Sequence, residues 1–549
     1  VNMKVQFNQQ QQNYKPQFKG VVDTSLRYLA TNQAVGANGV DFCSMVAPRT
    51  TIDFVQRGPA AGLETGRREI MGTVNDSCIG LFGAGAGWLI AKSLNKKFGL
   101  NVNNIFTAPE TLNILAENKA QQLKDNKTQL DYIKATLENV KAYNPDSKFA
   151  DKEGYTRISK EKIDEVAKYL DESLNSKVNF NEWTKEKTSK SREVLMNKIT
   201  ESTGAQSEYI LESLDKKTVS KTNLKSLLND LFIVSDSFNK DNVKSAFEEQ
   251  IKSGKAVKEN SFIKGLSKFM KTRSAMGFGI ATTIGLSVQP LNIYLTKLKT
   301  GSDGFVGVEG RSKDKSNGFK ALKVGSAAAF FSMILGTLNM SPVSFVKSPS
   351  KFMEKMAFNG KMPTINQLKG LYGLTIISRI FATRDKDELR ESLTKDTLGY
   401  VSWLILGDIV NKLVADGLDK STLNYRADSK DAGKFKRTFN GSLKSRDEVL
   451  VETLANNGIE TTKTENGKLL NKKFNEMVKD LEKLPEGVRK ATKKRLRTLN
   501  IAQVSGYLVA SLVLGLGIPN LNIYITNALD KKRKAEQAKL AGQEQKMSA

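Results

Sequence analysis

Five charged residues combine types and spacings that could do chemistry. Glu64, Arg68 and Glu69 stand in one stretch of the chain, and Arg390 and Glu391 stand in another. Glu64 and Arg68 are four residues apart, so they can pair on one face of a helix. Charged groups enclosed among membrane helices mark ion paths, relays or substrate sites. Two interpretations stay open: a salt-bridged helix surface, which is the default, and a buried charged network.

The absence of histidine limits the other chemistry that the chain can support. None of the 549 residues is a histidine, so Ser-His-Asp, Cys-His and zincin mechanisms are excluded within this chain. The two cysteines, Cys43 and Cys78, form no CxxC pair, which argues against a thiolate zinc site and a disulfide scaffold. The sequence therefore predicts no catalytic residue, no cofactor and no metal ligand, and it favours a protein that is not an enzyme.

The glycine-rich motif "GAGAG", Gly83 to Gly87, invites comparison with a dinucleotide-binding loop. The third glycine of that loop is missing, because residue 88 is Trp and residue 90 is Ile. No GxxxxGK[ST] sequence occurs either. We interpret the glycines as positions where helices pack closely.

Two short stretches are near copies of one another. The first is "GLSVQPLNIYLT", residues 285–296, and the second is "GLGIPNLNIYIT", residues 515–526. Glycine ends helices and proline starts them, so each copy predicts an apolar helix that breaks and is followed by a short second helix. The residues of this structural repeat are Gly285, Pro290, Asn292, Tyr294, Gly515, Pro519, Asn522 and Tyr524.

The two asparagines of the copies have two interpretations. In the first, Asn292 and Asn522 cap or orient the second helix of each copy. In the second, they form hydrogen bonds between helices or line a polar path, because each stands four residues before a threonine on the same helix face. Either way, the repeat predicts that the two asparagines occupy matching positions in two similar helical units.

Long uncharged runs and a strong positive charge indicate the environment of the chain. Residues 274–296, 325–346 and 498–529 carry no charge, and each run reaches the length that crosses a hydrocarbon core. The net charge of +27 favours contact with polyanions such as an anionic membrane or nucleic acid. The runs contain many small and polar residues, so a tightly packed soluble core is the alternative to membrane insertion.

The predicted fold class is mostly α, with apolar helices embedded in a membrane, an internal repeat of broken apolar helices, and charged soluble helical segments. Composition divides the chain into a disordered polar leader (1–20), a Gly-rich apolar helical segment (21–107), a charged soluble helical domain (108–266), an apolar helical membrane region with the first repeat (267–415), a charged helical segment (416–497), an apolar helical hairpin with the second repeat (498–530) and a polar tail (531–549).

The leading hypothesis for function is a membrane-associated helical scaffold, anchor or pore-like component without catalytic activity. Its soluble parts are expected in the cytoplasm and its main partner is expected to be an anionic membrane surface. Nucleic acid, protein partners and a second copy of the chain are further partners that the composition allows. The alternative hypothesis is a soluble, cytoplasmic, basic helical protein that binds nucleic acid or a macromolecular assembly.

Overall fold

The computed structural model of the protein describes residues 41–145, 150–185, 191–301, 313–425 and 441–548, with a few isolated positions outside these ranges. Side chains are described up to residue 540. The protein is 75% helical with little sheet, so the prediction of a mostly α fold is confirmed. The predicted leader, residues 1–20, lies outside the described residues.

The first part of the chain consists of long helices on either side of a polar insertion. A π-helical turn, Asp41–Val46, leads into α1, Ala47–Arg57, and then into α2, Pro59–Phe98. The helices of the first insertion, residues 99–260, are α3, Pro109–Lys124; α4, Gln129–Glu138; α5, Lys160–Asn175; α6, Phe180–Trp183; α7, Arg192–Thr203; α8, Leu224–Phe238; and α9, Asp241–Lys252. The chain returns through α10, Ser261–Thr300.

A small antiparallel sheet belongs to the first insertion. Its strands are β1, Val140–Tyr143; β2, Tyr155–Arg157; β3, Tyr209–Glu212; and β4, Val219–Thr222, and their order is β2-β1-β3-β4. Val140 is paired with Leu211 across β1 and β3, and both side chains are buried. The sheet therefore adds a packed layer to a segment that we predicted to be helical.

The second part of the chain repeats this order of long helices around an insertion. Its first helices are α11, Asn317–Thr337; α12, Pro342–Lys347; α13, Pro349–Lys355; α14, Ile365–Ala382; and α15, Lys386–Val401, which continues through a π-helical turn, Ser402–Leu406, into α16, Gly407–Leu418. The second insertion, residues 419–485, contains β5, Leu423–Asn424; β6, Ser442–Leu443; α17, Arg446–Asn456; β7, Thr462–Glu465; β8, Lys468–Asn471; and α18, Phe474–Leu481. Then follow α19, Glu486–Leu512, a π-helical turn, Val513–Gly517, and α20, Ile518–Ser548.

Local signals in the sequence set the ends of the long helices. The Asn260 side chain accepts hydrogen bonds from the first amides of α10, and Thr364 forms a capping box with Gln367 at the start of α14. α2 ends at Gly99, whose φ of 66° suits a residue without a Cβ. These caps satisfy helix-end amides and carbonyls that packing leaves unpaired.

Four helical stretches are long and apolar enough to cross a membrane. Among the described residues they are Pro59–Phe98, Asn317–Thr337, Lys386–Leu418 and Glu486–Leu540. The first of them lies in the segment that we described only as Gly-rich and apolar. The predicted run 274–296 lies in α10, which is not one of the four.

The long helices form two antiparallel pairs with the same construction. In the first pair, Asn292 of α10 lies beside Glu64 of α2, and Arg273 lies beside Gly87. In the second pair, Asn522 of α20 lies beside Glu391 of α15, and further along α19 contacts α16. We call α1, α2 and α10 the first half, and α14, α15–α16 and α19–α20 the second half.

Both insertions lie at the same end of the helix pairs and contact each other. The Asn197 amide of the first insertion donates to Asn471 of the second over 3.1 Å, and the Ser207 hydroxyl donates to Glu448. The opposite end, where α2 and α15 begin, carries Glu64 and Glu391. The two halves therefore point in the same direction.

The predicted helix breaks at the two copies are wrong. α10 is continuous from Ser261 to Thr300 with Pro290 inside it. A proline cannot bond the carbonyl four residues earlier, and here that carbonyl, of Leu286, accepts the Ser378 hydroxyl of α14 instead, at 2.5 Å. In the second copy a π-helical turn, Val513–Gly517, joins α19 to α20, so the helix changes its winding without stopping. Asn292 consequently lies inside a helix and does not cap one.

Candidate functional site

Two ion pairs connect the halves reciprocally at the end opposite the insertions. Arg57, at the end of α1, forms a bidentate pair with Glu391 of α15, with Nη–Oε distances of 2.5 and 2.8 Å. Arg384, just before α15, donates to Glu64 of α2 over 2.9 Å. Each half thus offers one arginine and one glutamate to the other, and the two glutamates are 6% exposed.

The partners in these pairs stand at a constant separation in the sequence. Arg57 and Arg384 are 327 positions apart, and so are Glu64 and Glu391. With the same offset, Arg68 corresponds to Lys395. The reciprocal contacts are therefore what two structurally equivalent halves would make around an approximate two-fold axis.

A second layer of charges lies about one and a half turns deeper along α2. Glu69 has four cations within 4.0 Å, and its side chain is 3% exposed. These cations are Arg49 at 3.5 Å, Arg68 at 3.0 Å, Arg379 at 3.9 Å and Lys395 at 3.6 Å. In the other half, Asp396 pairs with Arg379 at 2.9 Å.

The two layers carry opposite formal imbalances. The outer layer contains the carboxylates of Asp53, Glu64, Glu388 and Glu391 with only Arg57 and Arg384 as close basic partners. The deeper layer contains four basic groups around Glu69 and Asp396. Charges in a low-dielectric interior persist only when they are paired, and the two layers together are balanced.

The doubled stretch supplies the hydrogen bonds that hold each long pair together beside this network. Asn292 donates to the Glu64 carbonyl over 2.8 Å, and Asn522 donates to the Glu391 carbonyl over 3.0 Å. The threonine of each copy accepts from an arginine: Thr296 from Arg67 at 2.7 Å, and Thr526 from Arg390 at 2.6 Å. Both asparagines therefore make hydrogen bonds between helices.

The first glycine of each copy lies against the opposite half. A Cβ on Gly285 would be 2.6 Å from the Thr375 hydroxyl of α14, and a Cβ on Gly515 would be 2.7 Å from the Ser44 carbonyl. Both glycines thus allow a helix of the other half to approach closely. Tyr294 and Tyr524 instead face outwards, with 58% and 72% of their surface exposed.

The five charged residues singled out in the sequence come together in this network. Glu64, Glu69 and Glu391 are buried, and Arg68 pairs with Glu69 instead of Glu64. Arg390 lies at the rim, with 27% of its side chain exposed. The default interpretation, an exposed salt-bridged helix surface, is wrong for the three glutamates because they lie between helices.

Sequence reasoning missed the arginines that pair across the halves. Arg57, Arg384, Arg49 and Arg379 are all partners of the predicted acids. A signal for them exists, because residues 54–74 and 381–401 share the pattern F-x₂-R-x₆-E-[ST]-x₂-[RK]-[ED]-x₂-G-x-V. The doubled stretch drew attention to the third helix of each half, while this weaker pattern lies on the first two.

A small cavity of about 60 Å³ lies within the network, enough for a few water molecules. Its lining includes Glu64, Glu388, Gln289 and Arg379. The Gln289 side chain is 4% exposed, and its Oε1 has no hydrogen-bond partner among the described residues. The second carboxylate oxygen of Glu64 is also buried without a partner.

No family model, curated protein or solved structure matches this chain. Within the described ranges, no three Cys, Asp or Glu side chains are grouped so that they could hold a metal ion. The chemistry of the network therefore has to be inferred from its own contacts.

Proposed function

We propose that the protein is an integral membrane component of the pore-like or transport type, in which two similar helical halves enclose a charged path. The observation that carries this proposal is the pair of reciprocal ion bridges, Arg57–Glu391 and Arg384–Glu64, between helices with apolar outer faces. Buried ion pairs stabilise a fold poorly, since desolvation offsets their attraction. A mere scaffold or anchor has no need of them, and in membrane helices they accompany ion and proton paths.

The surface around the network favours contact with lipid. On α10, Leu291 and Leu295 flank Asn292 and are 45% and 39% exposed. On α20, Leu521 flanks Asn522 and is 48% exposed, and Tyr524 suits the membrane interface. The buried charges thus lie at a level where the outer face is apolar, which is the pattern expected of charges inside a bilayer.

Basic residues at the helix ends support the proposed partner, an anionic membrane surface. Lys297 and Lys299 end α10, and the segment "DKKRK", residues 530–534, follows the last uncharged run. Lysine and arginine next to a membrane helix attract anionic headgroups. We place the insertions on the cytoplasmic side, as the sequence analysis expects.

The test is membrane extraction followed by reconstitution. The protein should stay in the pellet after alkaline carbonate and require detergent for release. After reconstitution into sealed vesicles it should let an ion cross the bilayer, and the Glu391→Ala variant should change that flux. Release by carbonate without detergent would contradict the proposal, and a salt-sensitive gel shift with nucleic acid would then favour the soluble alternative.

A further inference from the structure

The two reciprocal ion pairs are not equivalent, although their residues correspond in sequence. Glu391 uses both carboxylate oxygens on Arg57. Glu64 uses only Oε1 on Arg384, and its Oε2 is buried without a partner beside the cavity. The approximate symmetry therefore breaks at Glu64, which keeps one oxygen free to bind something else.

Glu64 also shares its arginine with a second carboxylate. The same nitrogen of Arg384, Nη2, lies 2.9 Å from Glu64 Oε1 and 2.8 Å from Glu388 Oε1. Two carboxylates on one nitrogen are close enough to repel each other, and such pairs share a single proton. The Arg57–Glu391 pair has no comparable second carboxylate, since Asp53 lies 3.9 Å from Arg57 and also accepts from Thr65.

Neutral hydrogen-bonding groups complete the surroundings of Glu64. From α10, Gln289 brings a buried amide whose oxygen has no partner among the described residues, and Asn292 binds the Glu64 backbone. An amide of this kind can accept from or donate to a water molecule. The charged groups that face the cavity with Glu64 are Asp53 and Arg57 of α1, Arg68 of α2, Arg379 of α14, and Glu388, Glu391, Lys395 and Asp396 of α15.

The size and charge of the cavity limit what it can take. About 60 Å³ excludes organic substrates and hydrated metal ions but accepts a few water molecules. The four cations around Glu69 would repel a metal cation that moved deeper. Water next to a carboxylate pair can deliver a proton, however, because the hydronium ion transfers H⁺ to a carboxylate oxygen and leaves as water.

We propose that Glu64 and Glu388 hold one exchangeable proton between them, and that the proton is the ion which this membrane protein moves. The proton enters from cavity water onto Glu64 Oε2, with Gln289 orienting that water. Glu391 is the structural counterpart and stays ionised against Arg57. This proposal rests on the proposed function, since it names the ion that crosses at the same site.

The experiment is proton flux into vesicles that contain the full chain, a trapped pH-sensitive dye and a potassium diffusion potential. Glu64→Gln keeps the shape of the side chain and removes the titrating group, and Gln289→Leu removes the amide that orients water. Ser287→Leu is the matched control, because Ser287 lies two residues away on the exposed face of α10. Thermal unfolding of each purified variant checks that it has folded.

The expected result is proton influx with wild type, a loss of about tenfold or more in Glu64→Gln and Gln289→Leu, and a rate within about twofold of wild type in Ser287→Leu. Wild-type rates in both cavity variants, with folding intact, would overturn the proton site. A sodium, potassium or chloride flux without proton flux would overturn the proton site and leave the proposed function standing. If the protein inserts but passes none of these ions, both proposals fall.

Discussion

Individual charges in this protein owe their importance to burial. Arg57 keeps only about a tenth of its side chain exposed, and Glu391 is the carboxylate that neutralises it. A surface pair such as Lys490–Glu486, also at 2.6 Å, has both side chains more than half exposed. The two pairs look alike as distances, but water screens only the second.

We predict that Glu391→Ala destabilises the protein by about 3–5 kcal/mol, because it leaves Arg57 buried without a counter-ion. The measurement is the free energy of unfolding, or the thermal midpoint, in detergent. Glu486→Ala is the control and should change stability by less than about 1 kcal/mol. Equal small effects of the two substitutions would show that Arg57 is not buried in this way.

A second residue-scale prediction concerns Glu452 in the second insertion. Burial raises the pKa of Glu452 to about 7; Lys444, with Nζ at 2.7 Å, opposes this shift, and Glu448 adds to it. The folded state therefore binds a proton more tightly than the unfolded state does. Stability should fall as pH rises from about 5 to about 8, by up to about 3 kcal/mol from this group.

Glu452→Gln tests this dependence, because glutamine cannot titrate and still offers an oxygen to Lys444. Thermal unfolding between pH 5 and pH 8, values chosen to bracket the shifted pKa, should show a flatter slope in the variant. A variant whose slope matches that of wild type would mean that Glu452 titrates normally in the folded protein.

At the residue scale, the sequence predicts the acids of the network better than their partners. Glu64, Glu69 and Glu391 stand out because they interrupt or border apolar runs. Arg57 and Arg384 lie at helix ends among polar neighbours, where an arginine is ordinary. Only the folded arrangement shows that each reaches the other half.

Helices pack most closely in this protein where glycines face each other. A Cβ on Gly277 of α10 would lie 2.6 Å from the Gly83 Cα of α2, whereas a Cβ on Gly279 would meet nothing within 4 Å. Small residues at such crossings let backbones touch and replace the hydrophobic effect that lipid cannot provide. The "GAGAG" motif therefore has a packing explanation at Gly83.

We predict that Gly277→Ala costs about 1–3 kcal/mol, because the new methyl group forces α2 and α10 apart. Gly279→Ala, two residues away on the same helix, should be neutral or slightly stabilising, since alanine favours the helix. The thermal midpoints of the two variants in the same detergent provide the comparison. A neutral Gly277→Ala would contradict the close crossing.

The continuity of α10 through Pro290 leads to a prediction about Ser378. Ser378→Ala removes the hydroxyl that satisfies the Leu286 carbonyl, and an unpaired buried carbonyl costs about 1–3 kcal/mol. Adding Pro290→Ala should recover most of this loss, because residue 290 then offers an amide to the same carbonyl. A double-mutant cycle of unfolding free energies measures this coupling, and strict additivity would contradict it.

Helix existence and type are predictable from the uncharged runs, while helix continuity is not. Glycine and proline near the doubled stretch indicate a break on local grounds. The neighbouring α14 overrides that tendency at Leu286, and a π-helical turn, Val513–Gly517, absorbs it in the second half. Such compensation depends on another helix and leaves no local mark in the sequence.

The whole molecule combines two similar halves with two insertions at one end. Lys320, near the start of α11, lies at the other end, because Lys323 one turn later donates to the Phe381 carbonyl at the end of α14. If the helices cross a membrane, the insertions must be together on one side and Lys320 on the other. The alternative of a soluble helical core predicts no such sidedness.

The most direct test of the account is therefore cysteine labelling in sealed vesicles. Lys217→Cys and Lys468→Cys report on the two insertions, and Lys320→Cys reports on the opposite end, each in a background with Cys43→Ser and Cys78→Ser; all three lysines are exposed. We predict that a membrane-impermeant maleimide labels the two insertion sites together and spares Lys320→Cys, or the reverse, until detergent opens the vesicles. Equal labelling of all three sites in intact vesicles would contradict a membrane-spanning charged network.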